Sequence, residues 1–433
     1  MSLNKKAIGF YTATSLVIAN MIGTGVFTSL GFQLLGIHSV FSLLLLWVIG
    51  GIIALCGALC YGELGAAMPR SGGEYQYLTR IFHPLVGFLS GWVSVTVGFA
   101  APTALAAMAM GLYAAKVFPF LSPVLLASSL VVILTLIHTL DMRVGRSFQN
   151  VFTTIKLVLI VLFILSGFVF GTAQNITIFP DSNSFKDIIS PAFAISLIYV
   201  SYAYSGWNAA AYIAGEIENP QKNLPKALFR GTLLVMVLYL LLNFIFLYTV
   251  PMSEMAGQLE IGYISADKIF GTTGGRVMGM VISLLLISSV SSMIIAGPRV
   301  AQAMGEDLPL LAKLAKKNNK GIPAYAILLQ SSITLILILT STFEEVLTYV
   351  GFTLSIFSFL TVLGVFFYRR QNPDKPSPYR AWGYPVTPAI FLSLSLWIIV
   401  YTIYNRPMVS LAGGATLFVG FLIYVSSKNK NTI

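Results

Sequence analysis

Of the 433 residues, 57% belong to the set Ala, Val, Ile, Leu, Met, Phe, Trp, Tyr and Cys, and only 9% are charged. Soluble domains carry roughly 25% charged residues, so this composition excludes a water-soluble globular protein and points to a polytopic membrane protein. The formal charge of +11 does not indicate nucleic acid, because the basic residues are distributed over alternate loops rather than gathered in one patch.

Apolar segments long enough to cross roughly 30 Å of hydrocarbon number about twelve. They run over 8–35, 39–67, 85–115, 122–140, 147–171, 188–213, 226–250, 274–304, 323–341, 344–368, 386–404 and 409–426. With the N-terminus inside, Lys5, Lys6, Arg70, Arg143, Arg146, Arg299, Lys313, Lys428, Lys430 and most other cations fall on the cytoplasmic side. Only Lys116, Lys186, Lys268, Arg276 and Arg406 are left outside. This asymmetry predicts a multi-pass protein of the plasma or inner membrane with both termini cytoplasmic. The first span is too long for a signal-peptide core and lacks a convincing cleavage site, so it is expected to be retained.

The first span contains Gly23, Thr24 and Gly25 in the middle of an otherwise apolar run. Backbone opened in lipid leaves polar groups unpaired at several kcal/mol each, so a break at this depth survives only in a protein-lined cavity. Opposed half-helix ends offer N–H groups to an anion and carbonyls to a cation, the polarity of a zwitterion. The alternative is that the glycines merely let helices pack closely.

In the second span Cys56 and Cys60 stand one turn apart. With no histidine nearby they read as core packing, and no metal or cofactor is expected. Glu63, at the inner end of that span, is the one carboxylate counted as intramembrane. The stretch 69–75, with Pro69 and the pair Gly72 and Gly73, stops the helix before a short amphipathic piece. It reads either as a cytoplasmic gate or as a plain connection.

Span five holds Lys156 about nine residues, on the order of 13 Å, inside the segment. A lysine near the middle of the membrane costs about 2.5–3.5 kcal/mol, and snorkelling would have to reach back over two turns. It is therefore expected to face the protein interior. Span six is interrupted by Ser205 to Asn208, and span eight carries Ser288, Ser289, Ser291 and Ser292. Those hydroxyls either bond back to their own helix or form an ion or ammonium site.

The interruptions fall in the first helix of successive five-helix blocks. An odd number of helices per block inverts the second relative to the first, and paired breaks in inverted repeats point to a mid-membrane transport site. The expected organisation is a first repeat over 1–171, an inverted second repeat over 188–368, and two further spans with a cytoplasmic tail over 386–433. No phosphate loop, zinc spacing or nucleophile elbow is visible, so an enzyme is not expected.

Four stretches carry a family resemblance: Met21-Ile-Gly-Thr-Gly-Val-Phe27, Pro69-Arg-Ser-Gly-Gly-Glu-Tyr75, Ala203-Tyr-Ser-Gly-Trp-Asn208 and Gly215-Glu-Ile-Glu-Asn-Pro-Gln-Lys-Asn-Leu-Pro225. Together they resemble the amino acid/polyamine/organocation superfamily, and within it the L-type amino acid transporters and their bacterial relatives. The resemblance implies an all-α LeuT-type fold of about twelve helices, a 5+5 inverted repeat with helices 1 and 6 interrupted, working by alternating access.

It further implies that Gly23, Thr24 and Gly25 bind an amino acid carboxylate. Ala19 or Ile22, with Tyr202, Ala203 and Ser205, would offer carbonyls to the amino group, and Asn208 and Tyr239 would line the same site. Family members with a lysine in span five use its ammonium in place of sodium. Lys156 matches that position, with a partner among Ser288, Ser289 and Ser292.

Two departures refine the expectation. Animal L-type members join an ancillary glycoprotein through a cysteine after span three, but 116–122 has none, so this chain is expected to act without a disulfide-linked subunit, as monomer or homodimer. Neither interrupted segment contains a carboxylate, which favours small or medium neutral L-amino acids. Sodium-independent exchange is the leading expectation; proton symport and exchange of cationic amino acids or polyamines are the alternatives.

Overall fold

The structure is a computed structural model that describes residues 8–140, 145–180, 182–375 and 377–429. Lys5, Lys6, Arg143 and Lys430, which entered the charge asymmetry above, lie outside the described residues together with both termini. The side chains of Arg146 and Lys428 lie outside them too.

In chain order the helices are α1 (Phe10–Met21), α2 (Gly25–Gln33), α3 (Val40–Ala67), α4 (Glu74–Ile81), α5 (Pro84–Val93), α6 (Ala100–Val117), α7 (Pro123–Leu140), α8 (Gly145–Phe170), α9 (Ser182–Ile188) and α10 (Pro191–Ala203). They continue as α11 (Pro220–Thr249), α12 (Met252–Met255), α13 (Ile261–Asp307), α14 (Ala312–Ala315), α15 (Ala324–Thr340), α16 (Phe343–Gln371), α17 (Val386–Asn405) and α18 (Pro407–Asn429). A π-helical turn, Ser94–Phe99, joins α5 to α6, and a 3₁₀ segment, Ala209–Glu216, follows α10.

Among the described residues ten helical stretches are long and apolar enough to span a membrane, counting α1 with α2 and α5 with α6; α10 and α15 are shorter apolar helices. The polypeptide is thus a multi-pass membrane protein.

The helix ends follow from local chemistry. Ser190 caps α10 by accepting from the Phe193 N–H at 3.2 Å, with Pro191 at the first position, where a missing N–H costs nothing. Thr342 and Glu345 cap α16 reciprocally, satisfying two orphan donors at once.

The core sits where α11 packs on α3 and on α1, and where α13 packs on α6. Helices α7 and α18 expose rows of Leu, Ile, Val and Phe side chains, as expected of lipid-facing surface. Ahead of α1, Ile8 pairs with Ile217 beyond the 3₁₀ segment. The Ile8 N–H donates to Glu216 O at 3.3 Å and the Glu218 N–H to Ile8 O at 2.9 Å.

Three features differ from the sequence expectation. The third span carries the π turn, which no periodicity announced. The eighth begins earlier than expected, inside one long helix whose dihedrals break at Gly271. Glu63 is not alone as a buried carboxylate: Glu74, read as part of a connecting piece, is 3% exposed. Glu63 itself pairs with Arg369 of α16 through two hydrogen bonds of 2.7 and 2.8 Å. It also accepts from the Ala381 N–H, so the end of α3 grips α16 and the segment leading to α17.

Candidate functional site

The first helix opens between Met21 and Gly25, where Ile22 leaves helical geometry at ψ 87°. The carbonyls this frees find donors on other helices. Tyr239 of α11 donates its hydroxyl to Met21 O at 2.5 Å, and its ring packs against Trp47 and Tyr204. Lys156 of α8, 7% exposed, directs Nζ to Ile22 O at 3.4 Å and to the Ser289 hydroxyl of α13 at 2.6 Å. Thus one ammonium joins three helices, as a buried cation requires where no carboxylate among the described residues pairs with it.

Thr24 Oγ1 and the Tyr202 hydroxyl lie 3.1 Å apart, linking this break to α10. The two glycines behave differently. A Cβ on Gly25 would lie 2.4 Å from Ala203 Cα, whereas one on Gly23 would meet nothing nearer than 4.0 Å. Gly25 therefore permits close contact between α2 and α10, and Gly23 leaves open space beside the freed backbone. An apolar crevice lined by Gly23, Phe27, Ile160 and Leu285 reaches Lys156 and holds about 20 Å³ of free volume, room for about one water.

The second break follows Ala203. Gly206 takes φ +95°, and a Cβ there would lie 2.7 Å from Asn20 O. Only glycine tolerates that combination, and it brings the two breaks into backbone contact. Asn208 turns its amide to Glu74 Oε1 at 3.2 Å.

The structure therefore gathers Ile22, Thr24, Lys156, Tyr202, Tyr239 and Ser289 around the first break. Ala19, Ala203 and Ser205 lie along the two broken helices, with Ala19 and Ser205 half-buried. Of the other serines of α13, Ser292 bonds back to Ser288 O at 2.7 Å and Ser288 is buried beside it.

Glu74 is the residue that sequence reasoning missed. Its Oε1 accepts from the Tyr61 hydroxyl, from Asn208 and, at 3.2 Å, from Ser358 of α16. A signal was present: Glu74, Tyr77, Leu78 and Ile81 form the buried face of α4, spaced i, i+3, i+4, i+7 as an inward stripe is. Among the described residues no cluster of three or more His, Cys, Asp or Glu side chains could hold a metal ion.

A buried ammonium that joins the opened first helix to α13 in a multi-pass bundle suits a membrane carrier, and the comparisons give the family. The family profile described as amino acid permease matches residues 8–426. The mouse large neutral amino acids transporter small subunit 2 is 30% identical over 432 residues, covering 97% of this chain and 80% of that protein. The mouse b(0,+)-type amino acid transporter 1 is 29% identical, over 93% of this chain and 84% of its own length. The mouse Asc-type amino acid transporter 1 is 28% identical, over 97% and 81%. The chain belongs to the amino acid permease family of the amino acid/polyamine/organocation superfamily.

Proposed function

We propose that this permease moves small or medium neutral L-amino acids across the cell membrane by sodium-independent exchange. The observation that carries this reading is the ammonium of Lys156, held between the Ile22 carbonyl and the Ser289 hydroxyl. A carbonyl and a hydroxyl facing one another across two helices would suit a small cation, and here a tethered cation takes that place.

The fold on this reading is a LeuT-type bundle of twelve helices. Spans one to five and six to ten are inverted repeats, spans eleven and twelve are appended, and both termini are cytoplasmic. The carboxylate of the cargo lies on the N–H groups of Gly23 to Gly25, which begin α2, and its ammonium lies on carbonyls at the ends of α1 and α10, in keeping with helix-end polarity. Alternating access exposes this site to each side in turn. The chain acts without a disulfide-linked subunit: its cysteines, Cys56 and Cys60, are both free and buried in α3.

Proton symport is the second reading, favoured by Glu74, a buried carboxyl touching the second break. Counterflow in proteoliposomes tests the primary one, using a panel of the twenty amino acids with and without sodium. Neutral amino acids are expected to exchange without sodium; putrescine driving counterflow as well as alanine, or sodium-dependent uptake, refutes the assignment.

A further inference from the structure

Around Glu74 five elements converge, and the described side chains that meet there include no cation. Tyr61 comes from α3, Ser358 from α16, and Asn208 from the second break. Ser90 of α5 faces the same carboxyl from the foot of the π turn, its hydroxyl buried and otherwise unpartnered. Tyr212 of the 3₁₀ segment lies over Gly73 at φ +54°, where a Cβ would be 2.8 Å from the ring, and its carbonyl accepts from the Gly72 N–H at 3.0 Å. The titratable groups facing Glu74 are the phenols of Tyr61, Tyr77 and Tyr212. Arg369 of α16 is committed to Glu63, and Arg80 of α4 is exposed.

Resting on the transport reading above, we infer that Glu74 is a positioning residue for the transport cycle: in its neutral form it fastens the second break, through Asn208, to α3, α5 and α16, and ionisation releases it. The neutral acid suits this site. One oxygen accepts from Tyr61, Asn208 and Ser358, and a proton on the other would have the Ser90 hydroxyl, buried and without a hydrogen-bond partner, as its nearby acceptor. The charged form would leave a carboxylate buried without a cation, a state that burial makes costly.

Burial indeed raises this carboxyl above its ordinary range, against the opposing pull of its hydrogen bonds. A group whose value is raised in the fastened state and ordinary in a hydrated, opened state favours the fastened state at low pH. It shifts the balance toward opening as pH climbs through the raised value.

The test is counterflow of a neutral amino acid in proteoliposomes across a pH series, for the wild type, Glu74→Gln and Glu74→Asp. Gln copies the neutral acid, with its amide group on Ser90. It is expected to lower maximal rate about tenfold with KM changed by less than about twofold, the equivalent of roughly 1.4 kcal/mol on the opening step, and to remove the pH dependence. Asp retains a titrating group and is expected to retain the pH profile. A wild-type rate with no rise toward alkaline pH overturns the inference, as does Glu74→Gln with either wild-type rate or wild-type pH dependence, or a flat profile in Glu74→Asp. Absence of amino acid counterflow by the wild type at every pH would instead overturn the transport reading.

Discussion

The two breaks are stabilised by opposite chemistry. At the first, freed carbonyls are met by donors from elsewhere, the Tyr239 hydroxyl and the Lys156 ammonium. At the second, a side chain of the break itself, Asn208, is the donor, and the acceptor is a carboxyl delivered by α4. A full positive charge is thus built into one break and a titratable acid into the other. The first ties its helix to α8, α11 and α13; the second ties its own to α3, α4 and α16.

Removing the cation should have the largest effect. Lys156→Ala leaves Ile22 O and the Ser289 hydroxyl without their shared donor, a loss worth about 1.5–3 kcal/mol. Counterflow should fall by about tenfold or more while the protein still inserts; unchanged kinetics would erase the contrast between the breaks.

Next comes the contact between them. Gly206→Ala forces a side chain into φ +95° and against Asn20, with strain of about 1–3 kcal/mol before any clash is added. The thermal midpoint in detergent should drop, and a midpoint equal to wild type would show that the breaks can separate at no cost. Tyr239→Phe removes one buried hydrogen bond to Met21 O, worth about 0.5–1.5 kcal/mol. A few-fold rise in KM is expected, and a loss as large as that of Lys156→Ala would mean that the phenol, not the ammonium, dominates.

The smallest change in stability is expected for Gly23→Ala, whose methyl enters open space; it should stay within about 0.5 kcal/mol of wild type. If cargo lies on this backbone, KM should rise nonetheless, and an unaltered KM would move the anion site elsewhere.

How much of this was legible in the sequence depended on the kind of signal. Spans could be read because lipid imposes length and apolarity. Lys156 could be read because its cost admits few explanations. The breaks could be read because glycine and polar residues interrupt an apolar helix. Glu74 was hidden for a physical reason: it follows a Pro- and Gly-rich stop, where polar residues normally meet water, and only the fold carries α4 inward against α5 and α16. The π turn was hidden because one extra residue per turn leaves no compositional mark in a uniformly apolar segment. Gly25 and Gly23 look alike in sequence, yet one serves packing and the other leaves a space.

The lacing of Ile8 to Ile217 has a mechanical consequence. Helix α1 and the stretch from Gly206 through the 3₁₀ segment touch at Asn20 and Gly206 and are stitched again at their far ends by the hydrogen bonds of Ile8. Two struts fastened at both ends form a panel, which resists shear between its members. Helices α2 and α10, pressed together at Gly25 and Ala203, form a second panel, joined to the first through the residues between Met21 and Gly25 and between Ala203 and Ala209.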